Sequence, residues 1–471
     1  MHRIVDRVVN PFKLTGVSKK TKEFMDARDM PHGCGPNETL EQLKGRVGNG
    51  RAHLNLSQCD KFNTALTVVE EPLGPGSNVK TLDISGTGMT PRSIQMLADR
   101  LKTNTVLTSL NIAYNEIGTE GGKALATALE TNKVLTDLSL RGSCELETSL
   151  GPESSLAVVK ALSHNRALRT LDLSFNDIGP HAAILVMQNK TITDLNVSGN
   201  ENMGPNFATG LVSNNTLTSL DLSQAIFESD VFHELAKAIS TNSVLTHLYL
   251  GKNYPRDAPE GYDDVTGIQA LAAALQKNKT LVSLDLNECY IKWDGGVAIA
   301  KMLKHNKGLT TLNLRENDIG LEGGRAIAEM LEQHNKGLTT LNLGENYIGL
   351  GGGRAIAEML KHNKGLTTLN LSGNALCGID RMGRGQYDAT GINVMASALT
   401  DENNTTLTHL DLSFNHLCGN NLAGSGSYST DGIHALGDVI KKNLRLTMNL
   451  AGNELGPDCQ KILSEALLES A

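Results

Sequence analysis

The sequence predicts an α/β solenoid, in which a parallel sheet of about 14 strand units carries helices on its outer side. The first observation is that a block of 28 residues beginning at His305 returns at His334 with four differences, which marks a tandem repeat. The second is that each block opens with leucines in strand-like spacing, at Leu309, Leu312 and Leu314, and continues with apolar residues in helical spacing. Because parallel strands need a crossover connection, we expect the helix of each unit to supply it.

Residues 1–50 do not follow the repeat, so we divide the chain into this N-terminal segment and a repeat domain at 51–471. The segment contains a basic stretch with Lys13, Lys19, Lys20 and Lys22. We interpret it as a cap over the apolar end of the solenoid, which repeat proteins require. A basic tether to a partner or anionic surface and a disordered segment are the alternatives that remain open.

Fourteen strand units follow the N-terminal segment, and their first core position is apolar except in the two end units, which have Arg51 and Arg445. Alternate residues of a strand face opposite sides, so Leu312 is predicted to point into the core. Leu312→Ala is then expected to cost about 2–5 kcal/mol, and Asp285→Ala on the concave face no more than about 0.5 kcal/mol. The helices are predicted to begin after paired glycines such as Gly121-Gly122, which give the chain freedom to turn.

The spacing Leu-x-x-Leu-x-Leu-x-x-Asn, with its asparagine at Asn317, resembles the leucine-rich repeat of the ribonuclease-inhibitor type. The resemblance covers about nine-tenths of the chain. It implies a right-handed horseshoe in which the strand-end Asn or Cys bonds the backbone at each turn, which would make Cys59 and Cys289 structural. The same class forms the carboxy-terminal part of many NOD-like receptors and the catalytic horseshoe of Ran GTPase-activating proteins.

Composition and charge restrict the kind of partner and the compartment. The net charge of −8 argues against a nucleic-acid partner. The chain has no run of 18 apolar residues and no secretory signal at its start, so we expect no membrane span and a cytoplasmic location. Seven irregularly spaced cysteines suit a reducing compartment. Cys377 and Cys418 occupy equivalent positions in consecutive units, and we expect neighbouring free thiols there.

We find no set of residues with the spacing of a known catalytic or metal site. The histidines do not form an HExxH motif, and no Gly-x-Ser-x-Gly elbow occurs. His305, His334 and His362 recur because the unit recurs. The acidic stretch from Asp257 to Asp264 lacks the spacing of a calcium loop. We therefore expect no cofactor, no metal and no enzymatic activity.

Four units are longer than the others, at 33, 36, 41 and 38 residues, and their extra length lies between the strand end and the helix. All four insertions are therefore predicted to lie on one rim, and insertions on one face often form a binding face. Insertions 375–390 and 416–431 come from consecutive units, so we expect them side by side, with glycines that keep them flexible until a partner binds. The partner contacts predicted in them are Arg381, Met382, Arg384, Tyr387, Leu422 and Tyr428.

Three insertions end in a tyrosine that precedes a Gly-Ile pair, at Tyr262, Tyr387 and Tyr428. Each ring either packs back on the solenoid and closes its loop or contacts a partner. Both hold together if the apolar ring packs and the polar tip is presented. We include Tyr262 among the predicted partner contacts.

The central position on the predicted concave face carries five aspartates and no Lys or Arg, which would attract a basic partner surface. Tyr249 is the one large side chain in this row, and hot spots of binding favour Tyr, Trp and Arg. The contacts predicted on this face are Tyr249, Asp172, Asp221, Asp285 and Asp411.

These features predict a monomeric, non-enzymatic scaffold that binds partner proteins through its rim loops and concave face. The resemblance leaves two alternatives, a Ran-type GTPase-activating protein and an immune-receptor-like sensor without a nucleotide-binding module. Timing phosphate release after addition of a small GTPase distinguishes the first alternative from the scaffold.

Overall fold

The computed structural model describes residues 52–57, 73–74, 76–143, 149–201, 203–227, 229–253, 264–380, 382–400, 406–419 and 428–470. The predicted N-terminal segment 1–50 lies outside these residues. The described residues fall into two compact units, one with residues 52–227 and 241–249 and the other with 229–240 and 250–470. The prediction that residues 51–471 form one repeat domain stays a prediction.

The unit that begins at residue 52 alternates strands and helices in its described residues. Its strands pair in parallel and in sequence order, and the middle residue of each strand is a leucine in the core. They are β1 (His53–Asn55), β2 (Thr81–Asp83), β3 (Ser109–Asn111), β4 (Asp137–Ser139), β5 (Thr170–Asp172), β6 (Asp194–Asn196), β7 (Ser219–Asp221) and β8 (His247–Tyr249). The helices are α1 (Pro91–Leu101), α2 (Gly118–Thr131), α3 (Gly151–Leu162), α4 (Gly179–Met187) and α5 (Ala208–Val212).

The unit that ends at residue 470 has the same alternation of strand and helix. The helices in its described residues are α6 (Ser229–Thr241), α7 (Thr266–Leu275), α8 (Lys292–His305), α9 (Gly320–Gln333), α10 (Gly349–His362), α11 (Thr390–Thr400), α12 (Asp431–Lys442) and α13 (Pro457–Glu469). The parallel strands are β9 (Ser283–Asp285), β10 (Thr311–Asn313), β11 (Thr340–Asn342), β12 (Thr368–Asn370), β13 (His409–Asp411) and β14 (Thr447–Asn449). The predicted solenoid class and its 14 strand units are confirmed in the described residues.

A row of buried side chains at the predicted strand-end position joins each turn to its neighbours. The Asn317 amide donates to the carbonyl oxygen of Leu286 at 2.7 Å and accepts from the backbone N–H of Cys289 at 2.7 Å. Cys289 occupies the same position, and its thiol donates to the carbonyl oxygen of Leu250 at 3.0 Å. Burial raises the pKa of the Cys289 thiol. Cys289 therefore has the structural role that the resemblance implies, whereas Cys59 lies outside the described residues.

Sequence reasoning missed a second row of asparagines. These residues lie at the other end of each unit, three positions before its first core leucine. Asn306 donates to the carbonyl oxygens of Leu275 at 2.7 Å and Asn278 at 3.0 Å, and it accepts from the backbone N–H groups of Gly308 and Leu309. Because buried backbone groups need partners, these side chains pair the carbonyls left where each helix ends. The pattern recurs at Asn132, Asn165, Asn214, Asn242, Asn335 and Asn363.

The prediction that helices begin after the paired glycines was wrong. Helix α2 begins at Gly118, so Gly121 and Gly122 lie inside its first turns, where both are buried. A β-carbon on Gly122 would come within 2.3 Å of the Ser154 β-carbon in the next helix. Close packing of neighbouring helices requires these glycines, and the turn itself is made at Gly118, where φ is +60°. None of the helices in the described ranges is long and apolar enough to cross a membrane.

Candidate interaction surface

The four aspartates predicted as partner contacts on the concave face are buried. Asp172, Asp221, Asp285 and Asp411 each accept a hydrogen bond at 2.9 Å from the backbone N–H two residues further on. This local bond satisfies a backbone donor where the strand ends, as aspartate commonly does at turns. The second carboxylate oxygen of Asp285 also accepts from the Asn313 amide at 3.0 Å. The small cost predicted for Asp285→Ala therefore does not follow, because truncation would leave buried donors unpaired.

Tyr249, the predicted large anchor of the same row, is also buried, with 6% of its surface exposed. Tyr249 is the last residue of β8 and pairs in register with Asp221 on β7. The carbonyl oxygen of Tyr249 accepts from the backbone N–H of Leu222 at 2.8 Å. A partner that contacts Tyr249 would have to displace packed neighbours.

Asp285 carries a testable pH dependence. Burial raises its pKa from 3.8 to about 6, against the opposing effect of the hydrogen bonds from Asn287 and Asn313. Since the folded protein then holds the proton more tightly than the unfolded chain, this group makes stability fall as pH rises from about 4 to about 6. We expect Asp285→Asn to remove that fall. As the pH rises from about 4 to about 7, the free energy of unfolding of the variant should increase by roughly 1–3 kcal/mol relative to that of the wild type.

Denaturant titrations of wild type and Asp285→Asn across this pH range check the prediction. Asparagine is a suitable isostere because Asn313, Asn342 and Asn370 hold the equivalent position in the next repeats. Parallel pH profiles for the two proteins would contradict the assignment of this titration to Asp285.

The first predicted contact loop contains a tight turn, and we call its described residues, 379–380 and 382–385, the Met382 turn. Ile379 and Gly385 form an antiparallel bridge. The Asp380 carboxylate accepts from the backbone N–H groups of Met382 and Arg384, each at 2.9 Å, and from the Arg384 guanidinium at 2.8 Å. The hydrogen bond from the Arg384 backbone is the main reason that the pKa of Asp380 is lowered. At the tip of this turn the Met382 side chain is 74% exposed.

The two described tyrosines at the ends of the insertions contact the following repeat. The Tyr387 hydroxyl donates to the carbonyl oxygen of Leu417 at 2.8 Å, and its ring is half-buried. The Tyr428 hydroxyl lies 3.4 Å from the Cys459 sulfur, and part of its ring is exposed. These contacts match the interpretation that the rings pack back on the solenoid. The predicted contacts Arg381, Leu422 and Tyr262 lie outside the described residues.

The buried cysteines Cys377, Cys418 and Cys459 lie near these two tyrosines. Burial raises the pKa of Cys377 to about 12. The pKa of Cys418 is raised by burial and then by the neighbouring Cys459 and Cys377. All three are free thiols in the structure. Their burial gives them the character of core residues, because an inaccessible neutral thiol is a poor nucleophile.

Sequence reasoning missed a group of exposed aromatic side chains at the turns between strand and helix. Tyr290, Trp293, Tyr347 and Phe414 are all exposed, with Trp293 and Tyr347 each at 57%. Tyr290 and Tyr347 directly follow the strand-end position, and Phe414 directly precedes it. All three have a left-handed backbone, with φ between 53° and 59°. An aromatic residue next to the strand-end Asn or Cys is the sequence signal that identifies Tyr290, Tyr347 and Phe414.

The exposed side chains of these turns offer surfaces for contact. No group of three or more His, Cys, Asp or Glu side chains suited to a metal ion occurs within the ranges that the structure describes. Most of the acidic stretch from Asp257 to Asp264 lies outside those ranges. Exposed aromatic and methionine side chains are the kind that protein interfaces favour.

Comparison with known proteins identifies the repeat. The family model described as "Leucine Rich repeat" matches residues 103–126, 164–185, 277–300, 305–328, 334–357 and 403–417. Mouse leiomodin-2 is 27% identical over 173 residues, which cover 36% of this chain and 31% of leiomodin-2. Mouse NACHT, LRR and PYD domains-containing protein 14 is 26% identical over 238 residues, which cover 50% of this chain and 21% of that protein.

A solved structure of the leucine-rich repeat-containing protein LegL7 from Legionella pneumophila aligns with 70% of this chain and 96% of its own. The identity is 22% and the TM-score 0.40. This chain spans about a third of the length of leiomodin-2 and about a fifth of the NACHT protein. The family match is to a structural repeat and identifies no catalytic family. The family model and the repeated strand-and-helix unit together identify leucine-rich repeats in this chain.

Proposed function

We propose that the protein is an interaction scaffold that binds a partner protein through the rim on which the Met382 turn lies. The observation that carries the proposal is the exposure of Met382, at 74%, on a turn whose backbone is fixed by its own hydrogen bonds. Methionine side chains adapt to varied apolar surfaces. The proposal includes a protein partner, a monomeric state and a cytoplasmic location.

The order of the Met382 turn favours affinity. The sequence predicted a loop that stays flexible until binding, because it contains Gly378, Gly383 and Gly385. In the structure two of these glycines instead provide the positive φ angles of the turn, at +74° for Gly383 and +123° for Gly385. A β-carbon on Gly385 would lie 2.0 Å from the carbonyl oxygen of Gly378. A preformed loop loses less entropy on binding than a flexible one.

The neighbouring arginine adds a polar anchor to the same turn. The Arg384 side chain is paired with Asp380 yet remains 77% exposed. Its guanidinium can therefore meet a partner while Asp380 holds its direction. An arginine beside an exposed apolar side chain is a common composition for a binding hot spot. We place the main contact at Met382 and Arg384, with Tyr387 and Tyr428 supporting the loops behind them.

The sheet face contributes less to this proposal than the rim. The carboxylates of Asp172, Asp285 and Asp411 are buried, and each makes at least two hydrogen bonds. A charge in such a network attracts a partner over distance but offers no accessible oxygen for direct contact. The face is therefore a source of negative potential in the proposal.

Met382→Ser is the variant that tests the proposal. Because Asp380 bonds backbone N–H groups, the turn keeps its shape when the Met382 side chain is shortened. We expect an unchanged melting temperature and loss of the main captured partner. The matched control is Leu468→Ser, which removes an apolar side chain of similar exposure, at 78%, from helix α13.

Quantitative affinity capture from the source cell, followed by mass spectrometry, compares the wild type with Met382→Ser, Leu468→Ser and Arg384→Ala. Arg384→Ala is expected to weaken capture of the same partner. If Met382→Ser retains every partner that the wild type and Leu468→Ser retain, the Met382 turn is not the binding site.

A further inference from the structure

The side chain of Arg141 lies between two aromatic rings in the unit that begins at residue 52. Its guanidinium carbon is 4.4 Å from the centroid of the Phe175 ring and 5.6 Å from the centroid of the Tyr114 ring. An aromatic ring attracts a cation at its face, and the planar guanidinium also stacks on it. We call Tyr114, Arg141 and Phe175 the Arg141 cluster.

Three consecutive turns build the Arg141 cluster. Tyr114 and Phe175 directly precede the strand-end Asn of their turns, and Gly142 holds the same position in the turn between them. A β-carbon on Gly142 would come within 2.1 Å of the Phe175 carbonyl oxygen, so a larger residue does not fit there. Because Gly142 has no side chain, the side chain of Arg141 bridges the two rings. On the next turn, the Phe175 ring lies against the backbone of Gly199.

Two hydroxyl groups fix the direction of the guanidinium. Arg141 Nε donates to the Tyr114 hydroxyl at 2.6 Å, and Nη1 donates to Ser174 Oγ at 3.0 Å. Ser174 is buried and donates in turn to the Asp172 carboxylate at 2.6 Å. Burial raises the pKa of Asp172, and hydrogen bonds from Ser174 and the charge of Arg141 oppose that rise. The guanidinium is therefore held in place by the fold itself.

Part of this guanidinium is open to a ligand. A guanidinium has five N–H donors, of which Arg141 uses two in the bonds to Tyr114 and Ser174. Arg141 forms no ion pair with a carboxylate among the residues that the structure describes. In the same residues, the Ser155 hydroxyl is the one buried polar side-chain group without a hydrogen-bond partner. The Nη2 group of Arg141, which has no described partner either, therefore faces solvent.

The chemistry of these donors matches a carboxylate. Arginine binds a carboxylate through parallel N–H···O bonds, and a side chain that is already held loses less entropy on binding. A phosphate group carries up to two negative charges, whereas the cluster has one cation that is linked through Ser174 to the Asp172 carboxylate. The Tyr114 ring, which is 41% exposed, adds apolar contact area beside the charge.

We propose that the Arg141 cluster binds a carboxylate group of a partner protein, with Arg141 as the donor and the Tyr114 ring as the neighbouring apolar contact. The inference goes beyond the proposed function, since it assigns a second surface with its own ligand chemistry. Its test uses a defined peptide and variants outside the Met382 turn, so either proposal can fail alone.

The probe is acetyl-phenylalanyl-glutamate amide, and saturation-transfer difference NMR measures its dissociation constant. Arg141→Met keeps the length of the side chain and removes the guanidinium. We expect this variant to bind about tenfold more weakly than the wild type, as loss of a charge-assisted hydrogen bond implies. Arg92→Met removes an exposed arginine from helix α1 of the same unit and is the matched control. Arg92→Met and Met382→Ser should bind like the wild type.

Two further peptides define the ligand group. The neutral isostere acetyl-phenylalanyl-glutamine amide should bind the wild type about tenfold more weakly than the glutamate peptide does. The glutamine peptide with a free C-terminal carboxylate shows whether a terminal carboxylate binds as a side chain does, and the acid that binds more tightly identifies the source. Arg141→Lys keeps the charge without the planar fork, so its affinity for the glutamate peptide should lie between those of the wild type and Arg141→Met.

Equal binding of the glutamate peptide by the wild type and Arg141→Met would overturn the inference. Equal losses in Arg141→Met and Arg92→Met, or equal binding of the glutamate and glutamine amides by the wild type, would do the same. Circular dichroism melts of each variant show that the proteins compared are folded. If Arg141→Met is unfolded, the comparison rests on Arg141→Lys, and binding by Arg141→Lys as tight as that of the wild type contradicts the proposal.

Discussion

Leu312→Ala is expected to lower the free energy of unfolding by about 2–5 kcal/mol, the range typical of buried leucine truncations. Leu312 is fully buried at the centre of β10, between Leu284 on β9 and Leu341 on β11. The neighbouring residues cannot move to fill the cavity that alanine leaves, because each strand of the stacked repeats is fixed by hydrogen bonds on both sides. The full loss of packing should therefore appear in the measurement.

Urea denaturation followed by circular dichroism measures this effect, with Thr311→Ala as the control. Thr311 precedes Leu312 on the same strand and faces away from the core, where it is partly exposed. Its truncation should cost within about 0.5 kcal/mol. A larger loss for Thr311→Ala than for Leu312→Ala would mean that the strand faces the other way.

Asn346→Ala is expected to cost about 2–4 kcal/mol, because it leaves several buried backbone groups unpaired. The Asn346 amide donates to the carbonyl oxygens of Leu314 at 2.8 Å and Leu343 at 3.0 Å. Its oxygen accepts from the backbone N–H of Asn317 at 3.1 Å. Alanine removes both functions at a position that water does not reach.

Asn346→Cys separates hydrogen bonding from side-chain volume. Cys289 shows that a thiol at this position donates to the preceding repeat, at 3.0 Å from Leu250. We expect the cysteine variant to be more stable than the alanine variant and less stable than the wild type. Equal stability of the two variants would show that hydrogen bonding by this row contributes little.

Much of the fold was predictable, because each repeat contains both the apolar spacing of a strand and the apolar spacing of a helix. The spacing of Leu309, Leu312 and Leu314 indicated the strand, and the following apolar residues indicated helix α9. The apolar spacing of Ile462, Leu463, Ala466 and Leu467 predicts a last helix at Pro457–Glu469, and helix α13 has those bounds in the structure. The resemblance also implied the role of Cys289, since a position that alternates between Asn and Cys fits a buried turn.

The candidate site was less predictable, because exposure depends on neighbouring repeats. Alternation predicts Asp285 on the face away from the core, but it could not show that Asn313 of the next repeat donates a hydrogen bond to its carboxylate. Likewise, the glycines of the first insertion suggested flexibility, whereas Asp380 organises them into a turn. Tyr347 was missed because its exposure follows from a left-handed backbone that periodicity does not reveal.

The most direct test of the rim as the binding surface is site-specific photo-crosslinking with benzoylphenylalanine. The reactive side chain is placed in turn at Met382 on the rim, at Thr311 on the sheet face and at Lys301 on the exposed side of helix α8. We predict an adduct with the captured partner from position 382 alone, suppressed by excess unlabelled wild type but not by excess Met382→Ser protein. An adduct from position 311 with none from position 382 would contradict the proposal and place the binding surface on the sheet face.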